Sequence, residues 1–125
     1  MLTTIIVDDD IDVAESLSDL LHLHEFSILG RGINGKEAVE LYEKFKPDLV
    51  LLDMQMPHYD GCYAVKGINK IDPNANIIIV TGDCRSEKIE NIKETNVTIL
   101  QKPLAVQEII NISSKIKSKM TRSST

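Results

Sequence analysis

The chain has 125 residues, 42% of them hydrophobic and 26% charged, which suits one soluble globular domain with a core of its own and is short for two. A net charge of −5 argues against a protein whose main task is to coat nucleic acid or an anionic membrane. No apolar stretch approaches the ~18 residues that span a bilayer. The acids Asp8, Asp9 and Asp10 interrupt the first hydrophobic run, so it does not read as a signal segment, and Cys62 and Cys84 form neither a CxxC pair nor a zinc spacing. A reduced, cytoplasmic setting is the resulting expectation.

The first strand-like run is Thr4–Val7, ending at Asp8-Asp9. Asp10 is a suitable N-cap for a helix from Ile11 to His24, with Val13, Leu17, Leu20 and Leu21 on one face. Ser27–Gly30 reads as a second strand. Ala38, Leu41, Tyr42 and Phe45 give a second amphipathic helix, which Lys46-Pro47 ends because proline disfavours helix in the residue before it. Asp48–Leu52 is a third strand, apolar throughout after its first residue and followed by Asp53. Asp60-Gly61 opens a weaker third helix toward Lys70, with Gly67 in its interior and Asp72-Pro73-Asn74 at its end. Asn76–Val80 is a fourth strand, followed by Thr81; a short polar helix is expected near Ser86–Thr95. Val97–Gln101 is a fifth strand, followed by Lys102, and the last helix runs from Ala105 to about Met120, with Val106, Ile109, Ile110 and Ile116 inward. Its Lys115, Lys117 and Lys119 suit the negative end of a helix dipole, and residues 121–125 read as a disordered tail.

Alternation of strand and helix, with continuous apolar strands, predicts an α/β fold: a doubly wound five-stranded parallel sheet with five helices in three α/β/α layers. In a parallel sheet all strand ends emerge on one edge, where ligands bind. Asp8, Asp9, Asp53, Thr81 and Lys102 therefore converge on one crevice. The acids offer hard oxygen ligands for Mg²⁺, with Mn²⁺ as a substitute, and the lysine offers a compact positive charge for a phosphoryl oxygen. The threonine can donate a hydrogen bond, and a carboxylate with a free oxygen can act as a nucleophile.

The ordered set Asp8-Asp9, Asp53-Met-Gln-Met-Pro57, Asp60-Gly61, Thr81-Gly82 and Lys102-Pro103 resembles the receiver domain of two-component response regulators, in particular stand-alone chemotaxis-type regulators. The resemblance covers Thr3 to about Lys119 and implies a flavodoxin-like sheet, with residues 1–120 as the receiver. It also implies that Asp53 accepts a phosphoryl group from a histidine kinase or phosphotransfer protein. Asp9, Asp53 and the Gln55 carbonyl would hold Mg²⁺ directly, and Asp8 through water. Lys102 would pair with the phosphoryl group, Thr81 would be the hydroxyl that moves, and Gln55 and Asp83 would flank the attacking water. Partner binding would switch through the fourth helix, fifth strand and fifth helix, toward a downstream protein that the sequence does not identify. No nucleic-acid domain or membrane segment is visible. Such a chain is a signalling domain whose chemistry is its own phosphorylation and dephosphorylation. It departs from the family in having Ile99 where Tyr or Phe is common, and Leu104 where Phe is frequent.

Asp8-x-Asp10, Thr81 and the later lysine also resemble a haloacid-dehalogenase-type phosphatase, with Asp8 as nucleophile and Asp10 as acid/base. That reading leaves Asp53-Met-Gln-Met-Pro57 unexplained and finds only Glu108 as a further acid after the lysine. A receiver-like module that binds partners without phosphorylation is a third reading, against which the complete acidic set argues. His22, His24 and His58 read as solvated, and Asp60-Gly61 as a helix start.

Overall fold

The computed structural model describes residues 1–82 and 97–123. Five strands form one parallel sheet: β1 (Leu2–Val7), β2 (Phe26–Gly32), β3 (Leu49–Asp53), β4 (Ile77–Thr81) and β5 (Val97–Gln101). Around it lie α1 (Ile11–Leu23), α2 (Gly35–Phe45), α3 (Gly61–Ile71) and the C-terminal α4 (Val106–Ser123). The helix expected at Ser86–Thr95, with Asp83 and Cys84, falls outside the described residues.

Strand order is β2-β1-β3-β4-β5. The chain winds outward from β1 to β2, then crosses back to β3 on the other side of β1. The direction of winding therefore reverses between β1 and β3, and a crevice opens beyond their carboxyl ends. Successive residues of each strand face opposite layers. Ile5, Val7, Val50, Leu52, Ile77 and Ile79 pack against Ala38 and Tyr42 of α2 and Ala64, Val65 and Ile68 of α3. Leu2, Ile6, Leu49, Leu51, Ile78 and Val80 pack against Ala14 and Leu21 of α1 and Ile109 and Ile116 of α4. Burial on both faces explains why β3 and β4 are apolar almost throughout.

Helix starts follow their caps. The side chains of Asp10, Asn34 and Asp60 accept hydrogen bonds from the N–H groups of Val13, Glu37 and Tyr63, satisfying donors that a first turn leaves free. Lys46 ends α2 in a left-handed conformation, with φ of 43°.

Several expectations need correction. Val13 and Leu20 are 46% and 39% exposed, so the inward face of α1 is Ala14, Leu17 and Leu21 instead. The helix is apolar over more than one face, and its pattern alone could not choose between them. Val106 is only half-buried at the start of α4, which continues to Ser123, past the predicted end near Met120. The third helix is a regular one. A Cβ at Gly67 would come within 2.5 Å of Val39 Cγ2, so that glycine lets α3 lie close to α2.

Candidate metal and phosphoryl site

The crevice beyond β1 and β3 gathers the predicted acids. Asp53 is the last residue of β3 and only 6% exposed, because its strand neighbours are both inside the sheet. Asp8 follows β1 and is half-buried; Asp9 is exposed beside it. One carboxylate oxygen from each of the three lies within 4.8 Å of the others.

Such close acids raise each other's cost of ionisation. The carboxyl of Asp8 is pushed above its ordinary value of 3.8, chiefly by burial and further by the charges of Asp53 and Asp9. The N–H of Asp10, which donates to Asp8 Oδ1 at 2.9 Å, and the charge of Lys102 act the other way. An all-oxygen set strained by its own charge is suited to a hard divalent cation, so the residues present fit Mg²⁺.

Lys102 follows β5, two strands away from β3. Its Nζ reaches over β4 to within 3.3 Å of Asp53 Oδ1. Its main-chain N–H donates to the carbonyl of Thr81 at 2.8 Å, which ties the β5 end to the β4 end, and the Lys102-Pro103 bond is cis. Thr81 itself is buried at the last position of β4; the residue opposite Asp53 in the register is Val80. Gln55 is exposed in the loop after β3, and its N–H donates to Asp53 Oδ1 at 3.3 Å. All six residues read from the sequence therefore stand at one edge of the sheet. Asp10 and Asp60 are helix caps, and His22, His24 and His58 are exposed.

Residues 4–114 match the response regulator receiver domain. The chain belongs to that family. It is 35% identical to the chemotaxis protein CheY of Thermotoga maritima over 113 residues, 90% of this chain and 94% of that one. In fold it is similar to a CheY-like receiver domain protein of Methanospirillum hungatei, with TM-score 0.84, 20% identity and 98% of each chain covered. It is also similar to a chain in the CheX-CheY-BeF3-Mg²⁺ complex of Borrelia burgdorferi, with TM-score 0.83 and 24% identity over 92% of this chain and 88% of that one. At these identities the two structural likenesses speak for the fold alone. This receiver is a signalling module of the two-component type, and the phosphatase reading is not favoured. No helix among the described residues is long and apolar enough to cross a membrane.

Sequence reasoning missed the glycine that opens α2, Gly35, and gave no role to the two methionines within Asp53-Met-Gln-Met-Pro57. Met54 and Met56 are 2% and 7% exposed and anchor the loop after Asp53 in the core under α2 and α3. Asn34 followed three residues later by Glu37 is the spacing of a capping box, a signal that could have marked the helix start.

Proposed function

We propose that Asp53 is the phosphoacceptor of this receiver, that Asp8, Asp9, Asp53 and the Gln55 carbonyl hold the divalent cation, and that Lys102 and Thr81 bind the transferred phosphoryl group. The ion pair between Lys102 and Asp53 carries the reading, because it sets a mobile cation beside a buried carboxylate. Asp53 is held at the end of a strand and cannot swing away, so one carboxylate oxygen is presented at the crevice. The ammonium of Lys102, 47% exposed on its flexible stem, can move from the carboxylate to an oxygen of the incoming group. Bound Mg²⁺ would supply charge neutralisation for the acid cluster and the phosphoryl oxygens. Asp8 and Asp9 contribute by holding that cation. The Thr81 hydroxyl, once aimed at the crevice, can donate to a remaining oxygen.

The donor in this reading is a phosphohistidine of a histidine kinase or phosphotransfer protein, or a small acyl phosphate. The only reaction assigned to the chain is its own phosphorylation and dephosphorylation. Output passes to a protein partner through the surface around β5 and α4. Ile99 is half-buried in β5 against the layer formed with α2 and α3, and a branched aliphatic there can repack but cannot carry an exposed hydroxyl inward. A smaller rearrangement than in aromatic-bearing receivers is the expected result.

Incubation of the purified protein with acetyl phosphate and Mg²⁺, followed by intact mass measurement, tests the proposal. A gain of one phosphoryl group in the wild type, lost with EDTA and in Asp53→Asn, is expected. Phosphorylation retained in Asp53→Asn but lost in Asp8→Asn would support the phosphatase reading instead.

A further inference from the structure

We infer that Gly35, the first residue of α2, is a positioning residue for the metal site: it clamps the loop that presents Gln55. The inference rests on the reading of the Gln55 carbonyl as a metal ligand.

The loop of residues 54–60 leaves β3 directly after Asp53 and returns to α3. Its base is fixed: the Met54 N–H donates to the Val80 carbonyl at 3.0 Å and the Gly61 N–H to the Met54 carbonyl at 3.1 Å. Gln55 stands next, exposed, with its N–H on Asp53 Oδ1. The tip is less well supported by local structure. His58 has φ of 67°, a region that non-glycine residues adopt at a cost, and the Tyr59 N–H closes a tight turn onto the Pro57 carbonyl at 2.8 Å. Buried Met56 and the ring contact of Tyr59 with Tyr63 of α3, centroids 4.8 Å apart, give the tip side-chain support, and α2 adds a main-chain tie. The Gly35 N–H donates to the Tyr59 carbonyl at 2.6 Å, so a donor that the first turn of a helix leaves free is satisfied by the loop.

The clamp is rigid on the α2 side. Asn34 Oδ1 accepts from Glu37 N at 2.9 Å, and Glu37 Oε1 accepts from Ile33 N at 2.9 Å, so side chains fix the chain on both sides of Gly35. It is also tight. A Cβ at position 35 would overlap the carbonyl oxygen of Asp60 and come within 3.0 Å of that of Tyr59. Both obstacles are backbone, and neither can turn aside as a side-chain end could. Any larger residue must therefore push the loop off α2, and Gln55 is carried by that loop. Residues that support a metal ligand from behind commonly change affinity by ~10–100-fold when altered.

Gly67 provides the control, since the three atoms nearest its missing Cβ all belong to Val39 of α2. Isothermal titration with Mg²⁺ alone should show Gly35→Ala binding about tenfold more weakly than wild type. Gly67→Ala should lose thermal stability yet keep wild-type affinity. Wild-type affinity in Gly35→Ala would overturn the inference, and so would an equal loss in both variants, which would mark a general loosening. Asp9→Asn separates the two levels of the argument. If that variant binds Mg²⁺ normally, the metal assignment fails and the inference with it; if it loses the metal while Gly35→Ala does not, only the inference fails. Should Gly35→Ala not fold, hydrogen exchange of the wild-type Gly35 amide decides. Coupling between clamp and ligand is reciprocal, so Mg²⁺ should slow that exchange. An unchanged rate at saturating Mg²⁺ would overturn the inference.

Discussion

Lys102 Nζ lies 3.3 Å from Asp53 Oδ1, although their strands, β5 and β3, are separated by β4. The pair closes the crevice from the far side, and it gives the buried carboxylate a cation partner before any metal or phosphate arrives. If that ammonium then passes to the phosphoryl group, Lys102→Ala should keep Mg²⁺ binding and slow phosphorylation by acetyl phosphate. A loss of about tenfold or more corresponds to ~1.4 kcal/mol of transition-state stabilisation. Time courses of intact mass read this; an unchanged rate would remove Lys102 from the reaction.

Asp8 gives a pH prediction for the metal-free protein. Its carboxyl holds its proton more tightly in the folded state than in the unfolded one, chiefly because of burial. The folded state therefore binds more protons, and stability falls as pH rises from the ordinary value through the raised one. Asp8→Asn should melt at higher temperature than wild type at pH 7 in EDTA, with the gap closing as pH falls toward 3.8. In Mg²⁺ the order should shift toward wild type, because the proposed cation site would lose one of its acids. Thermal melts with and without the cation check both signs.

At the opposite end of the sheet, Tyr42 donates its hydroxyl to Asp72 Oδ2 at 3.0 Å, joining α2 to the turn after α3. Burial first, then this carboxylate, push the phenol up to about 12 from its ordinary 10.0. The contribution is fully present below pH 10 and is lost as pH rises through 12. Tyr42→Phe should cost about 1 kcal/mol at pH 7. Paired urea titrations should show its deficit narrowing through that alkaline window; a constant deficit would contradict the linkage.

The strand ends carried most of the site in the sequence, because a parallel sheet aligns them without further information. Asp8, Asp53, Thr81 and Lys102 each follow or end an apolar run, and that position alone brought them to one edge. What escaped was tertiary. The role of Gly35 depends on carbonyls 24 and 25 residues away, at Tyr59 and Asp60, which no local pattern announces. The weak appearance of α3 came from Gly67, whose use is visible only once Val39 of α2 stands against it. The exposed apolar residues Ile11, Val13, Leu20 and Leu23 made the buried stripe of α1 ambiguous.

The substitution of leucine for the frequent phenylalanine after Lys102-Pro103 has a structural correlate. A cavity of about 230 Å³ opens beside Asp53 and Lys102, walled by Val13, Leu17, Val80, Pro103 and Leu104. Leu104→Phe should partly fill it and raise stability by about 0.5–2 kcal/mol. Calorimetry would show this as a higher melting temperature. A lower one would mean that the loop cannot accept the ring without displacement.

The identity of the modified residue tests the central claim most directly. Borohydride reduces an aspartyl phosphate to homoserine, which fixes its position for peptide mass spectrometry. After exposure to acetyl phosphate and Mg²⁺, homoserine should appear at position 53 and nowhere else. Homoserine at position 8, or none at position 53, would contradict the account.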